Sequence, residues 1–408
     1  MNEHELTRYA RLIVDMVNVQ PGQNLQIRTE TAHAELAAAV GRAAYEAGAQ
    51  YVEADIAVPQ LYKNRIEASK DEHLDYLPEH AKYMNERLVE EGWALVSIKN
   101  PGDPDLLTGI DSDRNARVSR ATSQTREVLR RSLQADRQQW IVVAHPTEKW
   151  AAKVLGGAAT PEARTQLWER MKPILRLDAE DPAASWWERA ALIRGRSETL
   201  QNLSLRRLHF RADGTDLSVG IPEQALWAGG DAERPDGVRF MPNLPTEEVF
   251  TTPHLDQTDG TVRVTRPALV LQNVVEDAWF RFEGGNVVDF GARTGQDVLR
   301  RYLEIDAGAR RLGEIALVDG TSPIFTSGTV FFNTLFDENA ACHFALGSSY
   351  SACIVGGAAM SREELRAAGG NTSLVHTDFM LGTPDITVTG TTSDGREVDI
   401  IRDGRFVI

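Results

Sequence analysis

The side chains best suited to chemistry lie between residues 313 and 378. Glu314 opens an apolar run, His343 lies inside another, and His376 is separated from Asp378 by one residue. Residues two apart in an extended segment point to the same side, so this imidazole and carboxylate can converge. Carboxylate oxygens mixed with imidazole nitrogens suit zinc, cobalt or manganese, and shared carboxylates suit two ions. The pattern predicts a dinuclear metal site with hydrolytic chemistry.

Each of these residues also has a purely structural explanation. His343 could be a hydrogen-bonded core histidine, Glu314 could lie at the exposed end of a strand, and Asp378 could belong to a surface turn. An ionised carboxylate in an apolar segment is costly without a cation or a hydrogen-bond donor. The apolar residues around these acids therefore favour the ligand interpretation.

Further polar residues could complete such a site. Glu247 and Glu248 precede a β-favouring segment, where only one of them can face inward, and periodicity does not choose between them. Tyr350 could offer a phenol that polarises a carbonyl or steadies an oxyanion. Whether a helix or a strand joins His343 to Tyr350 stays open, so the sequence does not place both on one side.

The elements that must position these residues are mostly strands. From about residue 201, alternating segments and Asp-Gly or Gly-Gly turns dominate, and a hairpin is predicted around Asp213-Gly214. We therefore predict a C-terminal domain, residues 201–408, that is mixed α+β, rich in β structure and carries the site.

In the first half of the chain, strands and helices alternate. The patterns predict helices and strands over residues 6–17 (helix), 25–28 (strand), 32–47 (helix), 51–57 (strand), 94–98 (strand), 114–133 (helix), 140–144 (strand), 161–173 (helix) and 182–200 (helix). Such alternation is typical of a parallel sheet covered by helices. We predict an α/β fold whose N-terminal α/β domain, residues 1–200, contains a mostly parallel sheet.

Composition and charge exclude several classes of protein. The chain has 408 residues, of which 42% are hydrophobic and 25% charged, which is typical of globular domains rather than disordered chains. Its formal net charge of −15 would repel nucleic acid and anionic lipid. The most basic stretch, residues 119–137, resembles a solvated helix face. We therefore expect no nucleic-acid partner and no membrane partner.

Cysteine content and the chain start indicate a compartment. Cys342 and Cys353 are the only cysteines, which is too few for a disulfide framework. The start carries acidic residues where a signal peptide has basic ones, and no apolar run is long enough to span a membrane. These features predict a cytoplasmic protein.

Several segments of the sequence closely resemble the aminopeptidase T family of metallopeptidases. They are residues 243–253, 313–324, 333–340, His343 with Tyr350, and 375–380. The resemblance extends along the whole chain and includes several motifs in the right order. It implies a dinuclear site in the C-terminal domain and a metal-dependent exopeptidase.

The resemblance also implies roles for individual residues. Glu248, rather than Glu247, matches a metal ligand, and Tyr350 matches the catalytic tyrosine. Glu248 or Glu314 could move the proton to the leaving amine. The full set of implied metal ligands is Glu248, Glu314, Glu338, His343, His376 and Asp378.

Cofactors and partners follow from the same resemblance. It implies two divalent ions per subunit (zinc, cobalt, magnesium or manganese) that bridge a water and polarise the scissile carbonyl. It further implies a cytoplasmic homodimer that releases N-terminal residues from peptides with a free N-terminus.

Two other functions are compatible with part of this pattern. A mononuclear iron, ring-cleaving dioxygenase of the pyridine-diol type would need only His343, His376 and Asp378. Glu248 and Glu314 have no role around a single iron, so they favour the hydrolase. A non-catalytic peptide-binding protein on the same scaffold would need no metal.

Overall fold

The chain forms two compact units. The computed structural model describes residues 1–100, 102–271 and 273–408. Unit 1 comprises Met1–Trp186 with Asp231–Leu244, and unit 2 comprises Trp187–Gly230 with Pro245–Ile408. The domain limit predicted between residues 200 and 201 stays a prediction.

Helices and strands are numbered in chain order. The helices are α1 Glu3–Val17, α2 Ala34–Glu46, α3 Pro59–Ala68, α4 Glu79–Glu90, α5 Ser112–Thr125, α6 Glu127–Gln134, α7 Glu148–Leu155, α8 Pro161–Ile174, α9 Pro182–Asn202, α10 Gln296–Leu303, α11 Pro323–Thr326, α12 Thr334–Asp337 and α13 Arg362–Ala367. The strands are β1 Asn24–Glu30, β2 Tyr51–Ala57, β3 Ala94–Ile98, β4 Trp140–Val143, β5 Leu205–Ala212, β6 Thr215–Gly220, β7 Ala232–Glu233, β8 Arg239–Phe240, β9 Glu248–Thr251, β10 Thr258–Arg263, β11 Ala268–Val270, β12 Asn273–Val275, β13 Trp279–Glu283, β14 Asn286–Gly291, β15 Leu312–Val318, β16 His343–Gly347, β17 His376–Met380, β18 Thr387–Thr392, β19 Glu397–Arg402 and β20 Arg405–Phe406.

Unit 1 contains the predicted parallel sheet, with strand order β2-β1-β3-β4. Helix α1 begins at a capping box in which Asn2 and Glu5 bond to each other's backbone N–H groups. Its apolar residues recur at helical spacing and are buried, so amphipathicity alone predicts this helix. The α/β class of the fold is confirmed.

One predicted helix is wrong in detail. The segment expected to be helical over residues 114–133 forms two helices, α5 and α6, that meet at Arg126. The backbone of Arg126 leaves the helical region, with φ −103° and ψ 3°, and its N–H bonds to Ser123 three residues back. This tight turn interrupts the regular hydrogen bonds of the helix. The helical spacing of apolar residues continues across the turn, so the sequence pattern does not predict the break.

Among its described residues, unit 2 contains an eight-stranded and a four-stranded antiparallel sheet, together with the two-stranded sheet β11-β12. The eight-stranded sheet has the order β14-β13-β10-β6-β5-β18-β19-β20, and the four-stranded sheet has the order β17-β16-β15-β9. Between them the aromatic rings of Phe280, Phe344 and Phe379 pack with centroids 5.1 to 5.9 Å apart. This β-rich, mixed unit agrees with the predicted C-terminal architecture. No helix among the described residues is long and apolar enough to cross a membrane.

Candidate metal centre

The four-stranded sheet of unit 2 places five of the six predicted ligands on one face, and Glu338 lies outside the sheet. All seven residues of β15 are buried, and Glu314 lies within the strand rather than at an exposed end. Val318 pairs with Glu248, and Ala316 pairs with His343. Ala345 of β16 pairs with Glu314 of β15 on one side and with Asp378 of β17 on the other. Because opposed residues of an antiparallel pair share a face, these carboxylates and imidazoles converge.

Two groups of three residues could each hold a metal ion. Glu248, Glu314 and His343 form one group, while Glu314, His376 and Asp378 form the other. In each group the candidate ligand atoms lie within 4.8 Å of one another. Glu314 belongs to both groups, so its carboxylate is placed where a ligand shared between two ions would lie.

Hydrogen bonds orient both histidines. Nδ1 of His376 lies 2.7 Å from the carbonyl oxygen of Ser348, and Nδ1 of His343 lies 3.2 Å from that of Ala341. A carbonyl only accepts, so each Nδ1 carries the proton and each Nε2 presents a lone pair in the neutral ring. This outer hydrogen bond is the usual way in which proteins fix the tautomer of a metal-binding histidine.

The Nε2 atoms face carboxylate oxygens. Nε2 of His343 lies 3.1 Å from Oε2 of Glu248, and Nε2 of His376 lies 3.2 Å from Oε2 of Glu314. These contacts are within ion-pair distance, but among the described residues neither Oε2 of Glu248 nor Nε2 of His376 makes a hydrogen bond of regular geometry, although both atoms are buried. Buried polar atoms without a partner are rare. These atoms, together with the oxygen and nitrogen character of the set, fit divalent cations.

The charge of the cluster also indicates a site for divalent cations. Burial lowers the pKa of His343, but the carboxylates of Glu248 and Glu314 outweigh it and raise that pKa to about 10. Burial and the negative charge of Glu248 raise the pKa of Glu338, although His343 opposes this. In the part of the chain that the structure describes, no lysine or arginine pairs with the four carboxylates of the cluster, Glu248, Glu314, Glu338 and Asp378. Cations are therefore needed to balance the carboxylates, and protons occupy that role without metal.

Glu247 and Glu248 have opposite orientations. Glu247 forms an ion pair with Arg189 and is 1% exposed, whereas Glu248 faces His343. The backbone N–H of Glu247 donates to Oδ1 of Asn339 at 2.6 Å, which anchors the chain just before β9. Neither Arg189 nor Asn339 was assigned a role from sequence. The position of Asn339 next to Glu338, a candidate ligand, was the feature of the sequence that could have indicated its role.

Glu338 and Tyr350 lie beside the two groups rather than within them. Glu338 is 3.4 Å from the amide nitrogen of Asn339 and belongs to neither three-residue group. The Tyr350 ring packs 5.0 Å from that of His376. Tyr350 is 40% exposed, yet the protein around its hydroxyl and the negative charges of Glu314 and Asp378 raise its pKa.

A cavity of about 80 Å³ opens beside these residues. Its wall combines acidic site residues with apolar ones. The residues that line it are Pro267, Ala268, Leu269, Thr334, Asp337, Glu338, His376, Thr377, Asp378 and Met380. Its apolar residues come from distant segments of the chain, so no local sequence pattern predicts this cavity.

Comparison with known proteins agrees with a metallohydrolase site on this fold. The family described as thermophilic metalloprotease (M29) matches residues 2–406. Aminopeptidase 2 of Geobacillus stearothermophilus is 41% identical over 405 residues, covering 99% of this chain and 98% of the relative. Aminopeptidase T of Thermus aquaticus is 36% identical, with 99% and 98% of the two chains covered. The structure of wild-type AmpT from Thermus thermophilus superposes with a TM-score of 0.92 at 34% identity, over 100% of both chains.

The fold and the site thus define a metal-dependent peptidase. The chain belongs to the M29 family of metalloproteases. The predicted family and the predicted enzyme class, a metallo-aminopeptidase, are confirmed.

Proposed function

We propose that this enzyme releases N-terminal amino acids from peptides at a dinuclear site in unit 2. The observation that carries the proposal is the pair of three-residue groups that share Glu314. A site for a single iron, held by His343, His376 and Asp378, would leave the buried carboxylate of Glu248 without a role. The dioxygenase alternative is therefore not preferred.

The metal ligands in this proposal are Glu248, Glu314, His343, His376 and Asp378, with Glu338 completing the set from the neighbouring segment. When bound, two divalent ions (zinc, cobalt, magnesium or manganese) supply Lewis acidity that activates a water and polarises the scissile carbonyl. The carbonyls of Ser348 and Ala341 hold the two imidazoles in the required tautomer.

The remaining roles belong to side chains of this chain. The Tyr350 hydroxyl, next to His376, donates a hydrogen bond to the oxyanion that forms at the attacked carbonyl. A site carboxylate, Glu248 or Glu314, takes the proton from the water and delivers it to the leaving amine. Arg189 pairs with Glu247 and so keeps that acid away from the site.

Metal analysis together with an activity assay tests this function. The purified enzyme should contain about two divalent ions per subunit and hydrolyse leucine anilide, and chelation should abolish both. Restoring zinc, cobalt or manganese should restore hydrolysis. One ferrous ion per subunit with oxygen uptake on a pyridine diol, or undiminished hydrolysis after chelation, would reject the proposal.

The cavity beside the site is proposed to accept the side chain of the N-terminal residue. Its volume of about 80 Å³ is near half that of a cavity which accommodates benzene, roughly 150 Å³. A small aliphatic side chain should therefore fit better than an indole.

Narrowing this cavity should change substrate preference. Ala268→Val is expected to lower kcat/KM for leucine anilide relative to alanine anilide by roughly tenfold, because the added carbons displace the larger side chain. Ala358→Val, at an exposed position in the same unit, should leave the ratio unchanged. Equal ratios in both variants would show that the side chain binds elsewhere.

A homodimer is proposed as the assembly. The edge strand β2 is exposed along most of its length, and the exposed side chains of Tyr51, Leu61 and Tyr83 supply apolar surface in unit 1. Sedimentation of the protein at the mass of one subunit would contradict this assembly.

The free, buried thiols of Cys342 and Cys353 support a cytoplasmic location. Recovery of the native enzyme outside the cytoplasm would contradict it.

A further inference from the structure

The parallel sheet of unit 1 has one apolar face and one face that becomes polar toward the carboxyl ends of its strands. Leu25 and Ile27 are buried on the first face. Gln26 and Arg28 alternate with them and point to the other face. Sheets of this kind are normally covered by helices on both faces and carry apolar side chains there. The polar residues on the second face therefore need a separate explanation.

Three cations meet on this face. Arg28 of β1 pairs in register with Ser97 of β3, and Lys99 follows two residues later on the same side. The N–H of Lys99 bonds to the carbonyl of Val143, so the extended pairing continues to that residue. Surrounding protein and the positive charges of Arg126 and Arg28 lower the pKa of Lys99. Arg126 lies where α5 meets α6, so three distant segments supply the three charges.

Buried polar side chains hold Arg28 in place and connect it to the segment that carries Arg126. Nε of Arg28 donates to Gln26 at 2.6 Å, and one of its terminal nitrogens donates to Asn85 at 2.7 Å. Asn85 in turn donates to the carbonyl of Thr125, the residue before Arg126. Gln26 and Asn85 are only 3% and 5% exposed. These bonds preorganise Arg28, whereas Lys99 and Arg126 are exposed at the surface beside it, where an anion from solvent can reach them.

The positive charges of the cluster are only partly balanced. Burial and Arg126 lower the pKa of Arg28 overall, although the negative charges of Asp55 and Glu53 on β2 favour its charged form. Glu30, the next residue on this face, accepts from the N–H of Gly102. In residues 1–100, 102–271 and 273–408, the side chains of Lys99 and Arg126 have no ion-pair or hydrogen-bond partner. Like charges held together without a counter-ion repel each other, and a bound anion would remove this repulsion.

The position of the cluster in the fold is typical of a binding site. In the order β2-β1-β3-β4, the chain connects β1 to β2 on one side and reaches β3 on the other. The point where the chain changes direction across the sheet therefore lies between β1, which carries Arg28, and β3, which precedes Lys99. Ligands of open α/β sheets bind at the carboxyl ends of strands at such a point. We propose that Arg28, Lys99 and Arg126 form a binding site for a small oxyanion, the phosphate or carboxylate group of a small molecule.

Thermal unfolding in different salts tests this site. At matched ionic strength, sodium phosphate or sodium acetate should raise the Tm of the wild-type enzyme above its value in sodium chloride. At an anion concentration of about 100 Kd, the rise should be on the order of 5 °C. Lys99→Gln should remove most of this rise and weaken Kd roughly tenfold. The same variant should have a higher Tm than wild type in chloride, because the repulsion among the cations is relieved.

Two further variants keep the test decisive. Arg130→Gln removes the same charge from an exposed position of α6, where Arg130 bonds to Gln134, and should keep the full response. Arg126→Gln should reproduce the loss if Lys99→Gln folds poorly. Anion binding at the metal centre would remain in every variant, so only the response that depends on Lys99 or Arg126 counts.

The salt that acts identifies the ligand group. A response to phosphate alone indicates a phosphate group, and a response to acetate indicates a carboxylate. A rise that is the same in wild type, Lys99→Gln and Arg126→Gln, or no rise in wild type with either salt, would overturn the proposal.

Discussion

Replacing Glu314 by glutamine is expected to lower the hydrolysis of leucine anilide by roughly a thousandfold or more. Glu314 belongs to both candidate metal groups, so the change removes a charged ligand from each. Its side chain is 5% exposed, and glutamine has nearly the same volume, so packing within β15 should survive. The loss should appear in kcat and in metal content while the circular dichroism spectrum stays unchanged.

Glu304→Gln is the matched control for this experiment. Glu304 lies in the same unit at the exposed end of α10, and the same chemical change there touches no site residue. It should leave metal content and turnover within a factor of about two. Full activity of Glu314→Gln with normal metal content would mean that hydrolysis occurs elsewhere in the molecule.

The second large effect concerns stability in acid and arises in unit 1. His33 and His145 are buried, and their Nδ1 atoms lie 3.1 Å apart. Nε2 of His33 donates to the carbonyl of Asn100 at 2.8 Å, so its Nδ1 accepts the proton that His145 carries. Nε2 of His145 then accepts from Arg164, 3.3 Å away. Every ring nitrogen is satisfied only when both imidazoles are neutral.

The folded state therefore resists protonation of this pair. Burial, with the positive charge of Arg164, lowers the pKa of His33. Burial and the neighbouring His33 lower the pKa of His145 further. The unfolded chain binds protons near pH 6.5, so the stability from this pair is complete above that pH and is lost as the pH falls below it. Each histidine can contribute up to about 1.4 kcal/mol per pH unit in that range.

Urea unfolding between pH 4.5 and 7.5 measures this effect. In the presence of a chelator, the free energy of unfolding should fall more steeply with acid in wild type than in His145→Gln. Groups of unit 2 titrate equally in both proteins, so they cancel in the comparison. His73→Gln, at a side chain that is 65% exposed, should keep the wild-type slope. Identical slopes in wild type and His145→Gln would show that the pair stays neutral in the unfolded chain or charged in the folded one.

Some features of the site could be predicted from local sequence. The uninterrupted apolar run after Glu314 indicates a buried strand, and β15 is buried throughout. The alternation of His376 and Asp378 places both on one side of any extended segment. The helix α1 follows from its apolar spacing and its Asn2 cap. These predictions hold because strand and helix periods act over only a few residues.

Other features depended on partners far away in the chain. Glu247 and Glu248 have the same chemistry, and the Arg189 ion pair together with the Asn339 contact distinguishes their orientations. The direction of His343 depended on β16 pairing between β15 and β17. Local periodicity contains no information about such registers.

The sequence by itself determined the kinds of ligand this protein offers, the alternation that brings His376 and Asp378 together, and the α/β character of its first half. Only the tertiary structure decided that Glu314 is shared by two groups, that Glu247 turns toward Arg189, and that Arg28, Lys99 and Arg126 meet at one end of a sheet. The physical reason is the separation along the chain over which each effect acts. Side-chain direction within one strand follows from backbone geometry, whereas convergence between strands is set by hydrogen-bond register and by the cost of leaving a buried charge alone.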